Sequence, residues 1–474
     1  MKLCISIQPG SMKEALKSLK RYTKLGEVVE IRIDNLKNLN LSRLLSLPRP
    51  EIILTYPWKS NTDKFNRNFE KYYTLLHKAA KNGVEYIDVE MSLCKKIIKR
   101  FRLEKINIPG LICSYHDYQK TPNNLHSIYD KMKRLNPDII KIATKANRIS
   151  DNRIMFDILN EAKNDKRKVI GICMGEYGEI SRIIGGKFGS YLGYTCPEEK
   201  RKTAPGQFSY DQMKYLFRTD RITMETKIFG LIGNPVKYSK GIYFHNKIFS
   251  QNKVDAVYIN ILVDNLSEFF SSIMEYITGI SVTMPFKSDV VKYIDRIENG
   301  AKELKIINTV LRKKGNLIGY NSDLYAITNI LKKIRVKKDT RIIILGTGNM
   351  SRTILFACNI FGAKPVVVSR YIKKSRELTK HFDCDFTDYK NINGENCDLL
   401  INTTPVGMGT KHTMPPISTS IFNKKPYVID VIANPSYTKF IATAEKFNCK
   451  TITGDEIFTL QARYQSSLFL ELCK

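Results

Sequence analysis

The chain has 474 residues, and 77 Lys and Arg against 46 Asp and Glu give it a formal net charge of +31. That length is long for one domain, and two of about 200–250 residues each are expected. With 43% hydrophobic and 26% charged residues it can build ordinary globular cores, and no apolar stretch approaches the ~20 residues of a membrane span.

Positive charge on this scale raises nucleic acid, a membrane surface or anionic small molecules as partners. The basic runs Lys95-Lys96 with Lys99-Arg100, and Lys332-Lys333 with Lys337-Lys338, lie in helical or loop stretches without interleaved aromatics. Nucleic acid is therefore not an expected partner, and the plainer alternative is a compositional bias toward Lys, Ile, Asn and Tyr spread over solvated faces. Ten cysteines stand singly and six histidines are dispersed, so reduced thiols and no metal are expected. Met1-Lys2-Leu3-Cys4-Ile5-Ser6-Ile7 enters a strand at once, which leaves no room for a signal peptide and points to the cytoplasm.

In chain order, eight apolar runs of strand length are predicted up to about residue 200: Leu3–Ile7, Val28–Asp34, Glu51–Tyr56, Tyr86–Met91, Leu111–His116, Ile139–Thr144, Val169–Met174 and Tyr191–Thr195. Amphipathic helical stretches such as Phe69–Ala80 and Arg153–Ala162 separate them. Eight βα repeats fit a (β/α)8 barrel, whose site lies at the carboxyl ends of its strands. In the second strand Glu30, Arg32 and Asp34 alternate with Val29, Ile31 and Ile33. The three charges then share one face, which in a closed barrel points inward and must be paired.

Lys141 lies in Ile139-Ile140-Lys141-Ile142-Ala143. Burial there would lower its pKa and leave a neutral amine able to form a Schiff base; an exposed edge-strand lysine is the plainer alternative. His116 stands at the end of the preceding strand. Arg182 follows in Ile180-Ser181-Arg182, and Thr203 and Gln207 in Thr203-Ala204-Pro205-Gly206-Gln207. Such residues at successive strand ends converge on one barrel face.

The runs Glu30-x-Arg32-x-Asp34, Ser114-x-His116-Asp117, Lys141-Ile142-Ala143, Ser181-Arg182 and Ala204-Pro205-Gly206-Gln207 resemble, in order, those of type I 3-dehydroquinate dehydratases across residues 1–218. The resemblance implies that Lys141 forms an imine with the C3 ketone of 3-dehydroquinate. It makes His116 the base at C2 and the helper of water loss from C1. Arg182 would bind the carboxylate, Gln207 and Thr203 close over the ring hydroxyls, and Glu30 and Arg32 position the substrate. One departure stands out. Thr55-Tyr56-Pro57-Trp58-Lys59 lacks the family's Arg and the nearby Glu that orients the histidine, so Asp117 or Asp88 is expected to tune His116.

Residues 219–226 are polar and break the strand rhythm, and are predicted to be a linker before a new strand at Lys227. Ser281-Val282-Thr283-Met284-Pro285-Phe286-Lys287 ends a strand in a lysine, and Asn321-Ser322-Asp323 forms another turn. A Lys–Asp pair is a proton-transfer unit, although separately each fits a surface ion pair or a turn. Next, Arg341–Leu345 reads as a buried strand opening into Gly346-Thr347-Gly348-Asn349, a turn suited to a pyrophosphate at a helix N-terminus. Alone, that turn fits a structural role as well. The following strand ends in Ser369-Arg370, with Lys373 and Lys374 behind and no acidic residue; this favours NADP over NAD.

Residues 227–474 are similar to shikimate dehydrogenases in Gly233-Asn234-Pro235 with Ser239, Thr283-x-Pro285-x-Lys287, Ile307-Asn308-Thr309, Asn321-Ser322-Asp323, the Gly346/Gly348 loop, and Gly454 with Gln461-Ala462. The resemblance implies Lys287 and Asp323 as the catalytic pair. It makes Ser239, Thr283, Asn308 and Gln461 shikimate ligands. Gly346, Gly348, Asn349, Ser369, Arg370, Lys374 and Gly454 would line the NADP site. The chain departs at Gly241, Ser281, Leu324, Ala433 and Tyr371, where a Ser-Pro partner, Asn, Gly, Tyr and a small hydroxyl are usual.

The expected organisation is thus α/β throughout. A TIM barrel (1–218) is followed by a substrate domain (227–330, completed by 455–474) and a Rossmann-like NADP domain (331–454). The pairing resembles the bifunctional enzymes of the shikimate pathway. Its alternatives are a quinate-preferring or eroded dehydrogenase half, and a basic nucleic-acid-associated protein with vestigial folds.

Overall fold

Each barrel strand is preceded or followed by a helix whose apolar residues recur at helical spacing. In Met12–Thr23, Ala15, Leu19 and Tyr22 are buried, and Ser11 caps the N-terminus by accepting the Glu14 N–H. The computed structural model describes residues 1–25, 27–46, 48–58, 65–392, 396–409 and 413–474, with side chains at 65–68 left aside. The predicted Lys59 lies outside the described residues. Two compact units result, Met1–Ile277 and Thr278–Lys474.

In the first unit, eight strands form one sheet: β1 Lys2–Ile7, β2 Val28–Arg32, β3 Ile52–Thr55, β4 Tyr86–Glu90, β5 Gly110–Asp117, β6 Ile139–Lys145, β7 Val169–Met174 and β8 Leu192–Thr195. Their order is β7-β6-β5-β4-β3-β2-β1-β8, and the pairs are parallel. The Tyr191 N–H donates to the Val169 carbonyl at 2.7 Å and draws the two ends together. This is the predicted barrel, with Cys4, Ile53, Ile112, Ile170 and Leu192 among its buried apolar filling. One detail differs from expectation. Strand β2 ends at Arg32, and Asp34 beyond it is exposed, bonded to the Gln8 amide. Two parallel strands, β9 Lys227–Gly233 and β10 Ala256–Leu262, complete this unit.

In the second unit β11 Gly279–Val282 pairs antiparallel with β13 Thr309–Lys313, which forms a hairpin with β14 Asn316–Tyr320; β12 Arg296–Ile297 runs parallel to β14. The hairpin turns on Lys314 (φ 49°) and Gly315 (φ 84°), the left-handed pair that matches the twist of the flanking strands. Six further strands follow: β15 Ile342–Leu345, β16 Val366–Val368, β17 Asp385–Thr387, β18 Leu399–Asn402, β19 Tyr427–Asp430 and β20 Thr451–Ile452. They lie in the order β17-β16-β15-β18-β19-β20, all parallel. The chain therefore reverses direction across the sheet between β15 and β18, where α/β sheets open a crevice for ligands.

Candidate active sites

At the carboxyl ends of the barrel strands lies a cavity of about 370 Å³ lined by Glu30, Arg32, His116, Lys141, Arg182, Thr203 and Gln207, all of them predicted site residues. Strand pleat explains the convergence: alternate residues of β2, β4 and β6 point inward together. Lys141 is buried and its Nζ donates to Asp88 Oδ2 at 2.7 Å and to Glu30 Oε1 at 3.1 Å, with the Tyr194 ring centroid 4.3 Å away. Burial, the largest influence, acts to lower its pKa. The Asp88 and Glu30 carboxylates together outweigh it and raise the pKa well above the ordinary lysine value. The resting residue is an ammonium, which corrects the neutral amine expected from burial alone.

Glu30 is held from several sides. Thr55 Oγ1 donates to Oε1 at 3.0 Å, and the Ser6 hydroxyl donates to Oε2. His116 is half-buried with Nδ1 3.5 Å from Glu90 Oε2, and Tyr118 stacks on its ring at 5.9 Å. Glu90 rather than either expected tuner takes the place at Nδ1, although Asp88 interacts electrostatically with His116. Asp117 accepts the backbone N–H groups of Gln119 and Lys120, and Asp88 is bonded to Lys141. Asp88 and Glu90 were legible in Tyr86-Ile87-Asp88-Val89-Glu90, whose alternation repeats the pattern of the second strand.

Arg182 lies in the short helix Glu179–Ile184 after β7. Its Nη2 donates to the Pro205 carbonyl at 3.0 Å, while Nε is buried without a partner among the described residues. Burial lowers this guanidinium to about 10. A buried, under-bonded cation facing a cavity is a receptor for an anion. Gln207 Oε1 accepts from the Thr203 N–H and hydroxyl at 2.9 and 3.1 Å, and Arg32 Nη1 donates to the Thr203 carbonyl at 3.3 Å. These bonds tie the 203–207 segment down over the cavity.

In the second unit Lys287 Nζ meets Asp323 Oδ2 at 2.6 Å. The local sequence dictates this. Asn321 caps the helix Ser322–Lys333 by accepting the Leu324 N–H, which sets Asp323 in the first turn, where the helix dipole favours a carboxylate. Asn308 Oδ1 accepts from the Ser322 N–H and hydroxyl at 2.8 and 3.0 Å, and its amide reaches Gln461 Oε1 at 3.5 Å. Gln465, one turn after Gln461, was not anticipated. It donates to Thr309 Oγ1 at 2.8 Å and accepts from Ser281, and the i, i+4 spacing was the available signal. Thr283 is half-buried just beyond β11. Ser239 belongs to the first unit, where its hydroxyl accepts the Gly241 N–H at 3.2 Å.

A glycine-containing loop sits at the reversal of the parallel sheet. Gly346 has φ +114°, and a Cβ there would stand 2.6 Å from Thr403 Oγ1, whereas Gly348 faces open space. Gly348 caps the helix Asn349–Ile360, whose free N–H groups suit a pyrophosphate. Ser351, in place of a third glycine, is buried and bonded to Thr403 Oγ1 at 2.7 Å. Ser369 is also buried, accepting the Tyr371 N–H. The cations offered to solvent are Arg370, Lys373 and Lys374, and Arg370 and Lys374 flank the exposed Tyr371 ring at 4.9 and 5.5 Å. At Gly454 a Cβ would lie 2.2 Å from the Ile432 carbonyl carbon, so only glycine can start the helix Gly454–Glu471 there. These residues fit a phosphorylated dinucleotide.

The family described as Type I 3-dehydroquinase matches residues 3–224, and that described as Shikimate dehydrogenase substrate binding domain matches residues 231–310. The "Bifunctional 3-dehydroquinate dehydratase/shikimate dehydrogenase, chloroplastic" of Arabidopsis thaliana is 30% identical, covering 99% of this chain and 82% of its own. "Shikimate biosynthesis protein AroDE" of Chlamydia pneumoniae is 25% identical over 98% of this chain and 95% of its own. A "Shikimate dehydrogenase (NADP(+))" of Caldanaerobacter subterraneus is 33% identical, covering 52% of this chain and 91% of its own. Relatives of the first two kinds run the length of a chain that carries both constellations, and the protein belongs to the family of bifunctional 3-dehydroquinate dehydratase/shikimate dehydrogenases.

Proposed function

We propose that the barrel dehydrates 3-dehydroquinate to 3-dehydroshikimate through an imine on Lys141, and that the second half reduces this product to shikimate with NADPH. The observation that carries the reading is the buried Lys141 beside His116 in a cavity that also presents the under-bonded Arg182. Arg182 holds the carboxylate, Lys141 captures the C3 ketone, and the protonated imine draws the electrons released when His116 takes the C2 proton. His116 then protonates the C1 hydroxyl as it leaves. Glu90 holds the histidine at Nδ1.

In the second half, Lys287 and Asp323 handle the proton at the C3 oxygen, while Thr283, Asn308 and Gln461 bind the ring substituents. The bound nicotinamide supplies the hydride. Gly346, Gly348 and Asn349 would admit its pyrophosphate, Gly454 keeps a helix start close, and Arg370 with Lys374 would hold the 2′-phosphate. We place the functional division at 219–226; the first family match ends at residue 224 and the second begins at residue 231. The substrate domain spans 227–330 with 455–474, and the cofactor domain 331–454. The partners assigned are these small anionic substrates rather than nucleic acid. The compartment assigned is the cytoplasm, supported by ten free cysteines; among the described residues no helix is long and apolar enough to cross a membrane.

The direct test is 3-dehydroquinate plus NADPH in one vessel, followed by nicotinamide absorbance and product identity. Shikimate and one oxidised cofactor per substrate are expected; a product halted at 3-dehydroshikimate would refute the dehydrogenase assignment. Cofactor choice is separately testable. Arg370 and Lys374 give the 2′-phosphate charge-assisted bonds that NAD lacks, so kcat/KM should favour NADPH by about tenfold or more. Arg370→Ala should erase most of that gap, in kcat/KM and in dinucleotide affinity measured by calorimetry. Equal use of both cofactors by the unaltered protein would overturn this expectation.

A further inference from the structure

We propose that Asp88 is a catalytic residue of the barrel site: it accepts the proton that Lys141 must lose before its amine attacks the ketone, while Glu30 remains the fixed counter-ion. This rests on the imine reading above. An ammonium has no lone pair, and Lys141 is held as one by two carboxylates and the face of Tyr194. Its proton must therefore pass to a group already bonded to Nζ.

The two carboxylates are not equivalent. Glu30 receives three side-chain donors, from Ser6, Thr55 and Lys141, and the Ser6 hydroxyl is itself the acceptor for Thr203 Oγ1 at 3.0 Å. Both Glu30 oxygens are thus already engaged by side-chain donors, two of them on Oε1, the atom that faces Nζ. Asp88 makes the shorter bond to Nζ, 2.7 against 3.1 Å, with Ser114 as a further donor and His116 nearby. Cys4, Tyr118 and Tyr194 also feel the charge of Lys141.

The step balances. A proton moves from Nζ to Asp88 Oδ2, and the freed lone pair forms the N–C3 bond as the carbonyl π pair moves to oxygen. A proton shift from nitrogen to that oxygen gives the carbinolamine. The Asp88 carboxylic acid then returns its proton to the departing hydroxyl, which leaves as water, giving the protonated imine and the Asp88 carboxylate.

The experiment mixes the full-length protein rapidly with 3-dehydroquinate, quenches with borohydride at intervals and reads adduct mass. Asp88→Asn removes a negative partner of Lys141. A purely electrostatic role would thus free the amine and speed the adduct, whereas a base would be lost. We expect Asp88→Asn to slow adduct formation about 10²-fold at pH 7, with recovery of about tenfold per pH unit as hydroxide replaces the base. Glu30→Gln should slow it less. Asp88→Ala, should the Asn variant not fold, should regain rate saturably with added formate. Adduct formation in Asp88→Asn as fast as in the unaltered protein, slowing without recovery at high pH, no formate rescue, or a larger base-like defect in Glu30→Gln would each overturn the assignment. An unaltered protein that forms no adduct would instead refute the imine reading.

Discussion

Lys141→Met should form no borohydride-stable adduct with 3-dehydroquinate and lose about 10⁴-fold or more of its dehydration rate, whereas His116→Ala should keep the adduct and lose about 10²–10⁴-fold in elimination. The split follows from what each side chain touches. In the proposed reaction Lys141 is the buried nitrogen that joins the substrate, and His116 is the half-buried ring at the tip of β5 held by Glu90. Removing Lys141 also leaves Asp88 and Glu30 as uncompensated buried carboxylates, a cost of about 3–5 kcal/mol. Its melting temperature should therefore fall, and reduction of added 3-dehydroshikimate by the same variant is the control that the rest of the chain is folded. Peptide mapping should find the adduct of the unaltered protein on Lys141. An adduct on Lys145, exposed at the end of β6, would refute the assignment, as would unchanged elimination in His116→Ala.

The second large effect is expected from the Lys287–Asp323 pair. Lys287→Ala and Asp323→Asn should each lower kcat for reduction of 3-dehydroshikimate by about 10²–10⁴-fold, the scale of a lost acid–base group. The double variant should cost little more than either alone, because groups that act as one unit are not additive. Their 2.6 Å contact makes them such a unit. Dehydration of 3-dehydroquinate should stay unchanged in all three. Additive losses would mean that the two residues work independently, and a change in KM alone would make them binding groups.

By itself the sequence determined what depends on near neighbours. Period-two and helical spacing specified eight barrel strands to within a few residues, Asn321-Ser322-Asp323 announced a turn that proves to be the capped start of the helix Ser322–Lys333, and Ser369-Arg370 announced the cations behind β16. Motif order also announced seven residues that line the barrel cavity. Tertiary structure alone decided the pairings. Lys141 meets Asp88, 53 residues away, and Glu30, 111 residues away, so its charge state reverses from what its apolar neighbours imply. Glu90 replaces the expected partners of His116 for the same reason, since β4 and β5 are adjacent only once paired. Ser351, standing where a third glycine is usual in such a loop, is bonded to Thr403 across the sheet reversal. Local propensity acts through a few consecutive residues, whereas electrostatics and close approach act through space. The elements were therefore readable from the chain, and the protonation states and partners within the sites were not.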